Sequence, residues 1–297
     1  MSTREEPRQE PPSQLSSHRA KRVDIAGPYG PIAALRATVS DERRWAIAVL
    51  LPGYTGSKED FAPLLDPIAE AGIEPLAVDL PGQYESAGPD EESAYSSAAL
   101  GGVIAELVGK LSADDSRVLL LGHSYGGLVA RAAVLAGAPV RGLTLLDSGP
   151  GELPASARRD ALAVGELIMR EQGAVAAYAI RASLNTRPGV RPELEEFFRA
   201  RFIASTAAGL LGMADGLRYE ADLVAMLANQ LHELSMPCLV VCGENDDAWS
   251  PQIQRDMAER LDADFAVIPG AAHSPNMDNP AELLNTLLPI WRTWLPG

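Results

Sequence analysis

Residues 118–127 read VLLLGHSYGG, an apolar run that stops on a serine set among glycines. A serine inside a buried strand would be a packing oddity. At a sharp turn from strand into helix it becomes an exposed nucleophile. The stretch Gly122-His123-Ser124-Tyr125-Gly126 fits G-x-S-x-G, whose glycines leave room for a turn so tight that the serine itself adopts a strained backbone. Three fixed positions say little alone, so the flanks decide. An apolar β run precedes the serine, and GGLVARAAVLAGA (126–138), a small-residue amphipathic pattern, follows it, which is the context that such a turn requires.

Outward from this point, short apolar runs alternate with helical periodicity, the pattern of βαβ units and a mainly parallel sheet. RVDIAG and AALRATV read as a leading hairpin. WAIAVLLPG (45–53), EPLAVDLPG (74–82), RVLLLG (117–122) and RGLTLLD (141–147) read as consecutive buried strands, and CLVVCG (238–243) and DFAVIPG (264–270) resume the series. Helices are expected over 61–71, 94–111, 125–136, 251–261 and 280–294. Between 148 and 236 there is helical periodicity without a strand, so that segment reads as an insertion between two strands of one sheet. Within it, RPELEEFFRARF carries Pro192 at a first helical position, acids Glu193, Glu195 and Glu196 at the positive end, and Arg199 and Arg201 at the negative end. Leu194, Phe197, Phe198 and Phe202 form its apolar stripe.

The whole chain sets further bounds. Its 297 residues are 46% hydrophobic, ample for a large core. A net charge of −15, from 40 acidic and 25 basic residues, repels nucleic acid and anionic membrane surfaces. The two cysteines, Cys238 and Cys242, would lie roughly 13 Å apart on a strand, too far to bridge. They suit a reducing compartment and make no zinc site. The opening MSTREEPRQEPPSQLSSHRA is polar and Pro-rich without an apolar core, and no run approaches a membrane span. Residues 1–22 therefore read as a disordered tail and the cytoplasm as the expected location.

With the serine turn and its strand series in place, the chain resembles the α/β-hydrolase superfamily over roughly residues 23–297. The resemblance implies an α/β fold with a mainly parallel eight-stranded sheet flanked by helices. The core would comprise 23–149 and 236–297, with a helical cap over 150–235 inserted before the penultimate strand. A serine hydroxyl needs a base within reach and the base an orienting acid, and the resemblance implies that these follow in the chain order serine, acid, histidine. Of four histidines, His18 lies in the tail, His123 precedes the serine, and His232 ends a helical stretch of the insertion. His273, in PGAAHSPNMDNP after the last strand, matches the family's histidine loop. The family pattern of glycine, two variable residues and aspartate falls on Gly243 and Asp246. Asp247 is the adjacent rival, and Asp147, after the strand before the insertion, occupies a second place where relatives carry the acid. The oxyanion donors implied are the backbone N–H groups of Tyr125 and of Tyr54, the latter in LLPGYTGSKEDF, where Pro52 replaces the family's usual histidine. DLPGQYESAGPDEES (79–93) resembles the loop that edges the site and reads as a surface loop.

Within this resemblance a serine rather than an aspartate nucleophile implies acyl transfer to water, and the expected cap implies a small or medium substrate: a serine hydrolase acting on a carboxylic ester, lactone or thioester through an acyl-enzyme on Ser124, with no metal and no other cofactor. The partner expected is a small-molecule acyl substrate, with neither nucleic acid nor membrane insertion. The same triad in relatives cleaves C–C bonds or amides, and other relatives bind ligands without turnover. Met169, Tyr178, Phe197, Phe198, Met213, Tyr219 and Met226 are the candidates for lining a pocket beneath the cap, with Phe197, Phe198 and Met213 placed foremost.

Overall fold

The computed structural model describes residues 11–113, 117–184 and 190–295. Eight strands form one sheet: β1 (Lys21–Gly27), β2 (Gly30–Arg36), β3 (Ala46–Leu51), β4 (Ile73–Val78), β5 (Val118–His123), β6 (Gly142–Leu146), β7 (Cys238–Gly243) and β8 (Asp264–Ile268). Their order is β1-β2-β4-β3-β5-β6-β7-β8. β1 and β2 pair antiparallel, as does β2 with β4, and the other pairings are parallel. The leading hairpin and the six later strands thus stand where the apolar runs place them.

The helices are α1 (Ala62–Glu70), α2 (Ser97–Ser112), α3 (Tyr125–Leu135), α4 (Ala157–Leu184), α5 (Pro192–Ala204), α6 (Ala207–Tyr219), α7 (Val224–Leu234), α8 (Pro251–Leu261), α9 (Pro275–Asp278) and α10 (Pro280–Thr293). The strands β3 to β7 are buried along their whole length and read as near-continuous apolar runs because both faces of the sheet are covered there, whereas β1 at the edge is largely exposed. In β3, Ile47, Val49 and Leu51 pack with α2 and α3. The alternating Ala46, Ala48 and Leu50 pack with α1 and α10 on the other face. β5 divides in the same way, Val118 and Leu120 against Leu119 and Leu121. No helix among the described residues is long and apolar enough to cross a membrane.

Between β6 and β7 lie α4 to α7, with no strand among the described residues. α4 bends at Gly173, whose φ of 80° lies in a region that costs a residue with a Cβ and glycine almost nothing. The insertion has a small core of its own, Met169, Ala177, Phe202, Leu210 and Leu211. It is tied to the sheet domain by a buried ion pair. Arg131 of α3, 2% exposed, donates to Glu220 Oε1 at 2.6 Å and to the carbonyl of Pro150. Removing one member of such a pair strands the other away from water. Arg131→Met is therefore expected to lower unfolding free energy by about 3 kcal/mol in urea titration, with much of the loss recovered when Glu220→Leu is added.

The expectation of a disordered tail over 1–22 needs correction. Its first ten residues lie outside the described set, but residues 11–22 are held in place. Ser13 is buried, Gln14 donates to Asp60 and Arg19 reaches Asp66 and Glu70, and Lys21 opens β1. Composition marked this stretch as unable to form a core, which is true. It is ordered by polar contacts to a core made elsewhere.

Candidate active site

The turn after β5 shows why its glycines are needed. Ser124 has φ 54° and ψ −120°, a combination few residues with a side chain tolerate. A Cβ on Gly122 would stand 2.1 Å from the carbonyl oxygen of Gly126, and one on Gly126 would stand 2.5 Å from the carbonyl oxygens of Leu51 and Pro52. Those obstacles are backbone and cannot swing aside. The turn lies between β3 and β6 at the centre of the sheet, where the Ser124 N–H donates to the Leu146 carbonyl at 2.9 Å. α3 starts at Tyr125, so the Tyr125 N–H sits at a helix N-terminus, where partial positive charge collects.

Asp246 follows β7 and His273 follows β8, so both meet Ser124 at the carboxyl edge of the sheet. His273 Nε2 is 3.0 Å from Ser124 Oγ, and His273 Nδ1 is 2.8 Å from Asp246 Oδ1. The tautomer follows from chemistry. An ionised carboxylate only accepts, so Nδ1 carries the proton and Nε2 is left to accept from the serine hydroxyl. Asp246 is buried, its Oδ1 also accepting the Ala248 N–H at 2.8 Å and its Oδ2 the Gln254 amide at 2.7 Å. Burial alone would push its carboxyl up. The hydrogen bond and charge of His273 together with the Ala248 N–H outweigh that and hold it below the ordinary carboxylate range.

The rival acids are separated by their surroundings. Asp247 is exposed and ion-paired with Arg158. Asp147 is buried and accepts the Gly243 N–H at 2.8 Å; one of its carboxylate oxygens lies within 4.8 Å of a carboxylate oxygen of Asp246 and of a ring nitrogen of His273. Burial first, then the charge of Asp246, push the Asp147 carboxyl well above its ordinary value. Of the pair it is the one that takes a proton more readily.

His123 has a role that its position before the serine did not announce. Its Nε2 lies 2.7 Å from the His273 carbonyl oxygen, which can only accept, so His123 is protonated on Nε2 and holds the backbone of His273. Burial, and then the proximity of the His273 ring, lower its pKa from 6.5 to about 4. Between those values the unfolded chain binds a proton that the folded chain refuses. Stability is therefore full above pH 6.5 and falls as pH drops toward 4, by up to about 3 kcal/mol from this group. His123→Gln, which keeps a donor near the Nε2 position, should flatten that acid limb when urea unfolding is compared at pH 5 and pH 7.

The loop after β3 brings Gly53 and Tyr54 to the same spot. The Gly53 carbonyl accepts from Gln83 Nε2 at 2.8 Å and from the Gly56 N–H at 3.0 Å. Because a trans peptide points its C=O and N–H in opposite directions, fixing that carbonyl aims the Tyr54 N–H the other way. Among the described residues neither the Tyr54 nor the Tyr125 N–H meets a protein acceptor. Gln83 thus supplies loop support where Pro52 stands in place of a histidine. It is 1% exposed, so the 79–93 segment is more than the surface loop expected of it. Gln83, Gln254 and His123 were not singled out as site residues beforehand. Their one signal was a polar type close to an element boundary.

Ser124, His273 and Tyr54 open onto a cavity of about 810 Å³. Met169, Leu194, Phe198, Phe202 and Leu210 from the insertion line it. Two of the residues placed foremost for this role do not. Phe197 turns to the other side of α5 and packs edge-on against Tyr84, with ring centres 5.8 Å apart. Met213 is 1% exposed and faces Gln83 beneath the loop. Residues 194, 198 and 202 share the cavity side of the helix, and a stripe wide enough to include 197 serves two surfaces. Tyr178 packs on Phe202, while Tyr219 and Met226 are exposed.

The family model described as "Alpha/beta hydrolase family" matches residues 48–286. A Bacillus subtilis protein named as a candidate 2-succinyl-6-hydroxy-2,4-cyclohexadiene-1-carboxylate synthase is 23% identical over 267 residues, 84% of this chain and 95% of that protein. Among solved structures, a thermophilic esterase from Thermogutta terrifontis superposes with a TM-score of 0.71 at 22% identity, covering 93% of this chain and 100% of that one. An esterase from Exiguobacterium antarcticum gives 0.73 at 19% identity, covering 91% and 98%. These likenesses carry the fold, and the family match spans both the serine turn and the histidine loop. The chain belongs to the alpha/beta hydrolase family.

Proposed function

We propose that this chain is a serine hydrolase that cleaves a small or medium carboxylic ester, lactone or thioester through an acyl-enzyme on Ser124. His273 Nε2 takes the hydroxyl proton as Ser124 Oγ attacks the carbonyl carbon. Asp246 holds the Nδ1–H tautomer and stabilises the imidazolium without taking the proton. The oxyanion is met by the backbone N–H groups of Tyr54 and Tyr125, donors already oriented before charge develops. The tetrahedral species collapses, the leaving alcohol or thiol receives the proton from His273, and the carbonyl stays bonded to Ser124. Water, deprotonated by the same imidazole, then releases the acid and restores the hydroxyl.

The observation that carries this reading is the unbroken line of hydrogen bonds Ser124–His273–Asp246, at 3.0 and 2.8 Å, opening onto a cavity. The insertion, residues 150–235, would serve as the cap. A volume of about 810 Å³, with walls that mix apolar side chains such as Met169, Phe198 and Leu210 with charged ones such as Glu166 and Arg201, suits a small organic molecule, and a cap obstructs a polymer. The test is a panel of esters, lactones, thioesters, amides and vinylogous diketones, with the residue labelled by a fluorophosphonate mapped by mass spectrometry. Ester or thioester turnover with the label on Ser124 supports the reading. Turnover confined to diketones or amides would move the activity to another bond, and no labelling at all would leave a binding protein.

A further inference from the structure

The stretch ahead of β1 reaches the cavity. Pro12, Ser13 and Gln14 line it, and Ser13 is 6% exposed. Gln14 Nε2 donates to Asp60 Oδ1 at 3.0 Å, and the same oxygen accepts from Arg201 of α5 at 2.6 Å. Arg191, immediately before α5, donates to Ser13 Oγ at 3.3 Å. Behind this point the chain is pinned to α1: the Arg19 N–H meets Asp66 Oδ1 at 2.9 Å and its guanidinium meets Glu70 Oε1 at 2.6 Å. The segment turns back on itself through the Ser16 N–H to the Ser13 carbonyl and the Ser13 N–H to Ser16 Oγ. It therefore touches the sheet domain through Asp60 and α1 and the insertion through Arg191, at the place where both face the cavity.

We propose that residues 12–14 form a specificity-determining wall of the substrate pocket, a strap that limits the length of the substrate group the cavity admits. This rests on the serine-hydrolase reading. The strap is held by a few polar contacts rather than by a core of its own, so it can be removed while the sheet and α1 keep their packing. Each methylene that gains or loses apolar surroundings changes binding by roughly 0.8 kcal/mol. Opening this wall thus acts on long substrates and leaves short ones nearly unchanged.

The experiment compares the full chain, a variant lacking residues 2–15 that retains Arg19, and Gln14→Ala. Each is treated with alkyl fluorophosphonates from ethyl to dodecyl, and the second-order labelling rate of Ser124 is measured with Tm recorded alongside. The truncation is expected to raise the dodecyl rate about tenfold relative to the ethyl rate, and Gln14→Ala to shift the ratio in the same direction by about threefold. If truncation costs the fold, the ratio for Gln14→Ala decides. An unchanged ratio in the folded variants, with Ser124 labelled, overturns the strap and leaves the hydrolase reading standing. No labelling of the unmodified chain at any length overturns that reading and the strap with it.

Discussion

Ser124→Ala is expected to lower kcat for the best ester of the panel by about 10⁵-fold, while leaving a residual rate above that of water. The proposed nucleophile is lost, but the Tyr54 and Tyr125 amides and the cavity remain. Structure should survive the change. Alanine needs the same positive φ that Ser124 already adopts, and the lost hydroxyl partners only His273 Nε2 among the described residues. Tm is therefore expected to move by no more than about 2 °C, and inhibition constants for the product acid by less than about threefold. Hydrolysis that persists at the parental rate in a folded Ser124→Ala protein would remove the acyl-enzyme from the mechanism.

Asp246→Asn should cost about 10⁴-fold in kcat with little change in KM, because the damage is to a tautomer. The carboxylate receives N–H groups on both oxygens, from His273 and Ala248 on one and Gln254 on the other. An asparagine has one accepting oxygen, and the Ala248 and Gln254 donors compete for it. Turned to satisfy Gln254, it presents an NH₂ to His273 Nδ1, favours the imidazole protonated on Nε2, and blocks uptake of the serine proton. Asp147→Asn is the control. Asp147 accepts one backbone N–H, and burial beside Asp246 raises its carboxyl well above the ordinary value, so an uncharged amide that keeps the accepting oxygen should leave kcat within about fivefold. A drop of less than tenfold for Asp246→Asn would show that another group orients the imidazole. Its further fall in the double variant with Asp147→Asn would identify that group.

The serine turn and the sheet were legible because the physics that produces them is short-ranged. A turn in which a Cβ at 122 or 126 meets backbone within 2.1 to 2.5 Å admits glycine alone. Strands covered on both faces must be apolar throughout, and so mark themselves by composition. His273 was legible for a different reason. Few histidines are present, and the loop after the last strand is a place that the connectivity brings back to the sheet centre.

The choice among Asp147, Asp246 and Asp247 could not be made from local pattern. All three end or follow strands at the same edge, and adjacent residues in a turn point in different directions. What separates them is which carboxylate faces an imidazole and which faces an arginine or another acid, and that depends on segments 27 to 99 residues apart in the chain. The pocket lining was undetermined for a related reason. Phe197 and Phe198 are equivalent in composition but lie about 100° apart around α5, so one faces the cavity and the other Tyr84. Gln83 beneath the loop after β3, His123 behind His273 and the ordered residues 12–14 beside Asp60 are likewise products of long-range contact. By itself the sequence determined the sheet, the serine turn and the histidine of the loop after β8. Tertiary structure alone decided which carboxylate meets that histidine and which residues line the cavity, because hydrogen-bond partners and pocket walls come from residues remote in the chain.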